Sequence, residues 1–322
     1  MISWRLLRLD VSNAAAYLDA HGYPLRGALT PLGGGVSNTV LLAETARGRL
    51  VVKQALERLR VAEEWRSDPA RTLREAAALH DVATLLPPGS VPALAFLDQE
   101  NYIYAMEAAP AGAQDWKTLL LAGHIDPAIG AQVGQLLAQQ VAATRDPIPW
   151  RQRYGDQRVF DELRLDPYYR FTAARHPALA PYFAQAIARC QDHASSLVHG
   201  DWSPKNILIA AGRPLLIDYE VVHYGDAAFD AAFLLNHLLL KSHHRPQWRP
   251  QYGAAAAAFW RAAAPAVDPT AVKLHLGCLL LARLDGKSPA EYLHDETKPL
   301  LRSVARDILV SPPPDLLALW NR

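Results

Sequence analysis

Cysteine is scarce in this chain: Cys190 and Cys278 stand alone among 322 residues, with no C-x-x-C pair and no framework of spacings. That scarcity excludes a disulfide scaffold and fits a reducing, cytoplasmic setting, where isolated cysteines act as small buried hydrophobes. Net charge is nearly absent too, since 33 Lys and Arg face 32 Asp and Glu, and no basic tail or stripe gathers. No nucleic-acid partner is therefore expected. Long apolar runs are also missing. The longest, 227–240 and 252–267, are short or interrupted by Asp230, Asn236, His237 and Arg261, so no membrane partner is expected. Residues 1–22 mix charged and polar groups and show no leader-like apolar core. What is present in quantity is core material: 50% of the residues are hydrophobic, enough for one large or two moderate domains.

The stretch richest in chemistry is His199-Gly200-Asp201-Trp202-Ser203-Pro204-Lys205-Asn206, followed by a short apolar run ending at Asp218-Tyr219-Glu220. Residues 206–210 and 213–217 have strand character, and Ala211-Gly212 supplies a turn. In the resulting hairpin Asn206 and Asp218 meet at the open end, with Asp201 in the loop leading to it. In extended chain, residues two apart face the same way, so Asp218 and Glu220 could both reach one cation. Few, hard oxygen ligands suit Mg²⁺, and a carboxylate beside them suits transfer of a phosphoryl group to a hydroxyl.

The spacing H-G-D-x-x-x-x-N, with an Asp one hairpin later, resembles the aminoglycoside phosphotransferase and choline kinase group of small-molecule kinases. That resemblance implies an α+β, two-lobed protein-kinase-like fold, with a small antiparallel sheet plus a helix first and a larger, mainly helical lobe second. It implies lobes at 1–108 and 109–322 with MgATP between them. By the same likeness Asp201 is the catalytic base, Asn206 and Asp218 are metal ligands, and His199 braces the loop. The pattern D-x-E followed by Tyr224-Gly225 and Phe229-Asp230 is similar to methylthioribose kinases, which makes Glu220 a second metal-side carboxylate. Methylthioribose kinases, however, carry Ser where Asn206 stands. Asp230 is expected to start or brace the helix after it, as an N-cap-like residue.

Upstream, Gly33-Gly34-Gly35-Val36-Ser37 lies between two candidate strands, and glycines there would let backbone N–H groups approach phosphate oxygens. The strand 49–53 ends in Lys53, on the same face as Val51. It resembles the kinase strand whose lysine grips nucleotide phosphates, and Glu75 resembles the helix glutamate that holds that lysine, with Glu63 and Glu64 less favoured. Asp68-Pro69 is a helix start, as N-cap and first helical position, leading into 70–83. A first helix is expected at 9–21. Strands at 91–97 and 101–106 run into a Pro- and Gly-broken segment, the expected hinge, where Glu107 and Ala109 would meet the adenine edge through main chain.

In the second lobe the aromatic and charged segment around 160–170 is read as packing rather than as a pocket wall. Helix 229–241 is expected to be buried. The histidines His223, His237, His243 and His244 fit no zinc template. Arg283 is a candidate substrate-holding residue, by likeness to a helix-borne arginine of methylthioribose kinases. Residues 241–322 carry an excess of four positive charges, a poor match to a polycationic acceptor. The expected activity is transfer of the ATP γ-phosphate to a small sugar-like or thiosugar alcohol by a monomer or homodimer. An aminoglycoside kinase and a catalytically inactive nucleotide-binding scaffold are the alternatives.

Overall fold

Residues 7–33, 38–57 and 68–321 are described by a computed structural model. The chain divides into two compact units, Met1–Ala111 and Gly112–Arg322.

The first unit is built on an antiparallel sheet of order β1-β2-β3-β5-β4. Its strands are β1 (Leu25–Pro31), β2 (Asn38–Thr45), β3 (Gly48–Ala55), β4 (Leu94–Asp98) and β5 (Ile103–Glu107). Helix α1 (Ala14–Ala20) precedes the sheet and α2 (Arg71–Leu85) follows β3. The consecutive apolar residues of β3 are explained by cover on both faces. Leu50 and Val52 join Tyr17 and Leu18 of α1, Leu41, Ala43, Ile103 and Ala105 in one core, while Lys53, adjacent to Val52 and so on the opposite face, reaches Glu75 of α2 at 2.7 Å. Each buried Leu or Val side chain contributes roughly 1.5–3 kcal/mol.

Two helix starts differ from the sequence expectation. Helix α1 begins at Ala14 rather than 9, because Asp10 Oδ1 accepts from Ser12 N–H at 2.8 Å and Asn13 Oδ1 accepts from Asp10 N–H at 3.0 Å, giving the backbone a local alternative to helix. Asp68 accepts from Ala70 N–H at 2.9 Å, but it caps a turn, and α2 begins at Arg71 and runs to Leu85. Strand β4 starts at Leu94, after Pro92, which has no N–H for a ladder.

The second unit is mainly helical. Strand β6 (Gln114–Asp115) leads to α3 (Trp116–Leu121), α4 (Pro127–Ala143) and α5 (Pro147–Tyr154). A continuous helical passage follows: α6 (Arg158–Phe160), a wide-turned π segment Asp161–Arg170 and α7 (Phe171–Arg175), then α8 (Ala180–Asp192). The π segment contains Pro167, which cannot supply a regular helix bond. Then come β7 (Ser196–Val198), β8 (Ile207–Ala210), β9 (Arg213–Leu216) and β10 (His223–Gly225), followed by α9 (Ala228–His244), α10 (Arg249–Ala263), α11 (Pro269–Asp285) and α12 (Lys298–Val310). Strands β6, β8 and β9 form one small sheet, and β7 pairs with β10 in another.

Asp-Pro pairs open α4, α5 and α11, where Asp126, Asp146 and Asp268 each accept an N–H bond from the residue two further on. Helices α4 and α10 touch backbone to backbone: a Cβ at Gly130 would lie 2.5 Å from Ala255 O, and one at Gly134 would lie 2.4 Å from Phe259 O. Helix α9 is buried along nearly its whole length, as its apolar sequence requires.

Candidate active site

The β8–β9 hairpin turns at Ala211 and Gly212, both at positive φ, and pairs Ile207 with Leu216. Ile217 N–H donates to Asn206 O at 3.0 Å, which brings Asn206 and Asp218 side by side at the open end. Asp218 itself sits at φ 72°. For a residue with a Cβ this left-handed backbone is a strained state, of the kind that gathers at functional sites. It also corrects an expectation. The alternation that would aim Asp218 and Glu220 the same way needs extended chain, and the left-handed bend at Asp218 removes that premise; Glu220 is buried beyond the bend.

The loop 199–206 is held from several directions. Asp201 N–H donates to His199 Nδ1 at 3.2 Å, so the His199 proton lies on Nε2, which donates to Ile217 O at 3.0 Å. Burial keeps the imidazole pKa low, and the ring packs against Tyr219, with centroids 4.2 Å apart. Gly200 has φ 79°, and a Cβ there would lie 2.9 Å from Val221 O, so glycine is required on both counts. Asp230 accepts from the backbone N–H groups of His199 at 2.7 Å and Gly200 at 2.9 Å. It therefore braces the loop rather than its own helix, which is capped instead by Asp226 Oδ1 accepting from Ala228 N–H at 3.0 Å. The reason is direction: Asp230 lies in the first turn of a fully buried helix, facing two loop amides that have no strand partner. Burial raises its pKa to about 7, despite the two N–H bonds that favour the anion.

Asp201 is 3% exposed, and its Oδ2 lies 3.0 Å from Arg164 Nη2 and 3.0 Å from Lys205 Nζ. Burial alone would raise its pKa, but the charges of Lys205 and Arg164 outweigh burial and hold the carboxyl well below the usual range. Arg164 also donates from Nε to Gly200 O at 2.8 Å. This arginine belongs to the π segment read from sequence as packing, and it is one of two candidate-site residues that sequence reasoning missed. The segment also carries Arg170, so nothing in the sequence singles Arg164 out. Lys205 was missed as well, although its spacing of four from Asp201 was visible. Asn206 Nδ2 donates to Asp201 O at 3.1 Å, leaving its carbonyl oxygen as the group it can offer a ligand.

Arg283, on α11, donates from Nη1 to Ser288 O, to Ser288 Oγ at 2.8 Å and to Tyr168 OH at 3.4 Å. In the first unit, Lys53 Nζ donates to Glu75 Oε1 at 2.7 Å, with both residues almost fully buried. Gly33 is exposed at the tip of the β1–β2 hairpin, with open space where a Cβ would stand. Gly34, Gly35 and Ser37 lie outside the described residues, as do Glu63 and Glu64. At the expected hinge, Glu107 N–H donates to Ala93 O at 2.8 Å and Ala108 N–H to Arg49 O at 2.9 Å. Both N–H groups are used by neighbouring backbone, so the main-chain group that Glu107 can offer a ligand is its carbonyl.

A sequence model described as the phosphotransferase enzyme family matches residues 28–269. The chain belongs to this family. Among curated relatives, the methylthioribose kinase of Pectobacterium atrosepticum is 30% identical over 237 residues, 65% of this chain and 59% of the relative. That of Escherichia coli (strain S88) is 26% identical over 257 residues, 70% of this chain and 61% of the relative. The chain thus spans about six tenths of the length of these relatives. Among solved structures, a choline/ethanolamine kinase family protein from Mesorhizobium loti superposes with a TM-score of 0.53 at 17% identity, covering 96% of this chain and 98% of that one. An aminoglycoside phosphotransferase from Alicyclobacillus acidocaldarius gives 0.51 at 16%, covering 100% and 98%. At such identities the likeness is one of fold. The α+β, kinase-like architecture expected from sequence is borne out, with a five-stranded antiparallel sheet and a helical remainder. No helix among the described residues is long and apolar enough to cross a membrane.

Proposed function

We propose that this member of the phosphotransferase family is an ATP-dependent kinase of a small sugar-like or thiosugar alcohol, with Asp201 as the group that receives the acceptor proton. The observation that carries it is the buried Asp201 carboxylate, on a loop pinned to Asp230 and Arg164 and joined by a direct hydrogen bond to Asn206 of the Asn206–Asp218 corner. In the step, the acceptor oxygen bonds to the γ-phosphorus as the bond to the β–γ bridging oxygen breaks. The hydroxyl proton passes to Asp201, and ADP leaves. Because Lys205 and Arg164 depress its basicity, Asp201 chiefly orients the hydroxyl and takes the proton late. Lys205, half-exposed, is placed to offset charge on the moving phosphoryl group.

Asn206 Oδ1 and the Asp218 carboxylate are hard oxygen donors and fit Mg²⁺, which keeps several waters and phosphate oxygens rather than an all-protein cage. Glu220 is a further candidate ligand. Once bound, Mg²⁺ would neutralise charge on the phosphates. Lys53, held by Glu75, would grip the nucleotide phosphates with the 33–37 loop, while Glu107 carbonyl and Ala109 N–H would read the adenine edge. Similarity to methylthioribose kinases supports a thiosugar acceptor, with Arg283 on the substrate side.

The test is ADP release with MgATP over a panel of methylthioribose, simple pentoses and an aminoglycoside. Turnover of a sugar-like alcohol that disappears in Asp201→Asn supports the proposal. Tight nucleotide binding without turnover on any alcohol would establish the scaffold alternative, and preference for the aminoglycoside the antibiotic-kinase alternative.

A further inference from the structure

Phe233, His237 and Lys241 recur every four residues on α9 and so form one stripe along the helix. The stripe starts beside the catalytic loop: Phe233 lies under the Arg164 guanidinium, 5.9 Å from ring centroid to Cζ, and Arg164 pairs with Asp201. The His237 ring follows, 5.2 Å from that of Phe233. Lys241 comes last, about 12 Å along the axis from Phe233 at 1.5 Å per residue.

Three bases along this line lack the partners that buried bases need. Lys241 is 1% exposed, yet no carboxylate lies within 4 Å of its ammonium among the described residues. Its contacts are Tyr292 OH at 3.4 Å and the Tyr292 ring, 4.8 Å from Nζ to centroid. Arg283 Nε and His237 Nδ1 are buried without an acceptor or donor among the described residues. The surrounding charges do not supply one. Glu291 is engaged by Lys117, and burial, followed by the charges of Lys117 and Arg283, outweighs Glu291 and Asp115 to bring the Lys241 pKa down to about 7. His237 is pushed well below its ordinary value, first by burial and then by Lys241 and Arg283, and it senses Asp201 and Lys205 as well. The segment after α11 completes the enclosure. Arg283 binds Ser288, Ala290 N–H donates to Arg283 O at 2.8 Å, and Tyr292 is thereby carried over Lys241.

A buried ammonium and a half-satisfied guanidinium with no protein anion are costly, and a ligand oxyanion would satisfy both. We propose that Lys241 and Arg283, with His237 between them and Asp201, form a subsite for an oxyanion of the substrate, so that the acceptor is an alcohol carrying a carboxylate or phosphate group. That the anion belongs to an acceptor rests on the phosphotransferase reading; the anion subsite itself does not need turnover to be detected.

The test is therefore binding, read by calorimetry and thermal shift on the whole chain with matched probes: D-glycerate against glycerol for a carboxylate, and ribose 5-phosphate against ribose for a phosphate. The expected result is at least tenfold tighter binding of one or both anionic members, lost tenfold or more in Lys241→Met and in Arg283→Met. Lys241→Met should fold, since the lysine has no carboxylate to strand, and Arg283→Met is an independent second readout. Equal response to charged and neutral members, no response to any, or a preference that survives both variants would overturn the subsite. ADP release with the same probes separates the two ideas. Anion binding without phosphoryl transfer keeps the subsite and sinks the kinase, whereas turnover of neutral alcohols alone keeps the kinase and sinks the subsite.

Discussion

Two buried lysines, one in each unit, are handled in opposite ways. Lys53 is 5% exposed and donates to a glutamate at 2.7 Å, so its charge is compensated within the protein. Lys241 is more deeply buried and, among the described residues, meets a tyrosine and no carboxylate. A paired base is a fixture, already complete, that can present a set charge to a ligand. An unpaired one is incomplete, and its burial makes sense if something else brings the counter-charge.

The comparison can be broken or sharpened by measurement, and neither lysine should matter as much to the chemistry as Asp201. Asp201→Asn should lower kcat by about 10³-fold or more while leaving ATP affinity by calorimetry nearly unchanged, because the bonds that pin the loop do not use this side chain, whereas the proton acceptor and its charge towards Arg164 and Lys205 are lost. Lys53→Met should lower stability by roughly 3–5 kcal/mol in denaturant unfolding, since it removes the ammonium that faces the buried Glu75 carboxylate at 2.7 Å. The double variant Lys53→Met, Glu75→Leu should regain most of that stability but not the nucleotide affinity. If the single variant is no less stable, the pair is not the fixture described.

Gly200→Ala forces a Cβ into left-handed backbone and against Val221 O, and should cost about 1–3 kcal/mol together with a drop in kcat. Lys241→Met should have the opposite sign, raising stability by about 1–3 kcal/mol at neutral pH. The sign with pH follows from the lowered pKa. Between about 7 and the ordinary lysine value, the unfolded chain holds a proton that the folded chain has shed, so wild-type stability rises with pH there. The advantage of Lys241→Met is thus greatest near or below pH 7 and shrinks as pH rises towards 10. A gap between the two unfolding curves that stays constant with pH would show that Lys241 does not titrate in this way.

Much of the candidate site in the second unit could be read from spacing because its parts are close in sequence. One hairpin with a turn at Ala211-Gly212 suffices to bring Asn206 beside Asp218, and strand periodicity alone puts Lys53 on a defined face. Other parts depend on tertiary placement, to which local pattern is blind. Arg164 reaches Asp201 from 37 residues upstream, out of a segment whose π geometry no periodicity announces. Asp230 resembles a helix-start residue in sequence, and only the position of the buried α9 turns it towards the loop amides. Spacing could not settle Glu220 for a local reason: the positive φ at Asp218 breaks the extended chain on which the strand rule depends.

The close contact at Gly130 and Gly134 reaches further than packing. Helix α4 also carries Gln140, which donates to Leu197 O and accepts from Tyr219 OH, on either side of the loop that begins at His199. With α4 seated on α10 by main-chain atoms, there is no soft layer of side chains to absorb a shift between the helices. A methyl group added at Gly134 would therefore be relayed along a rigid rod to the two residues that flank the Asp201 loop.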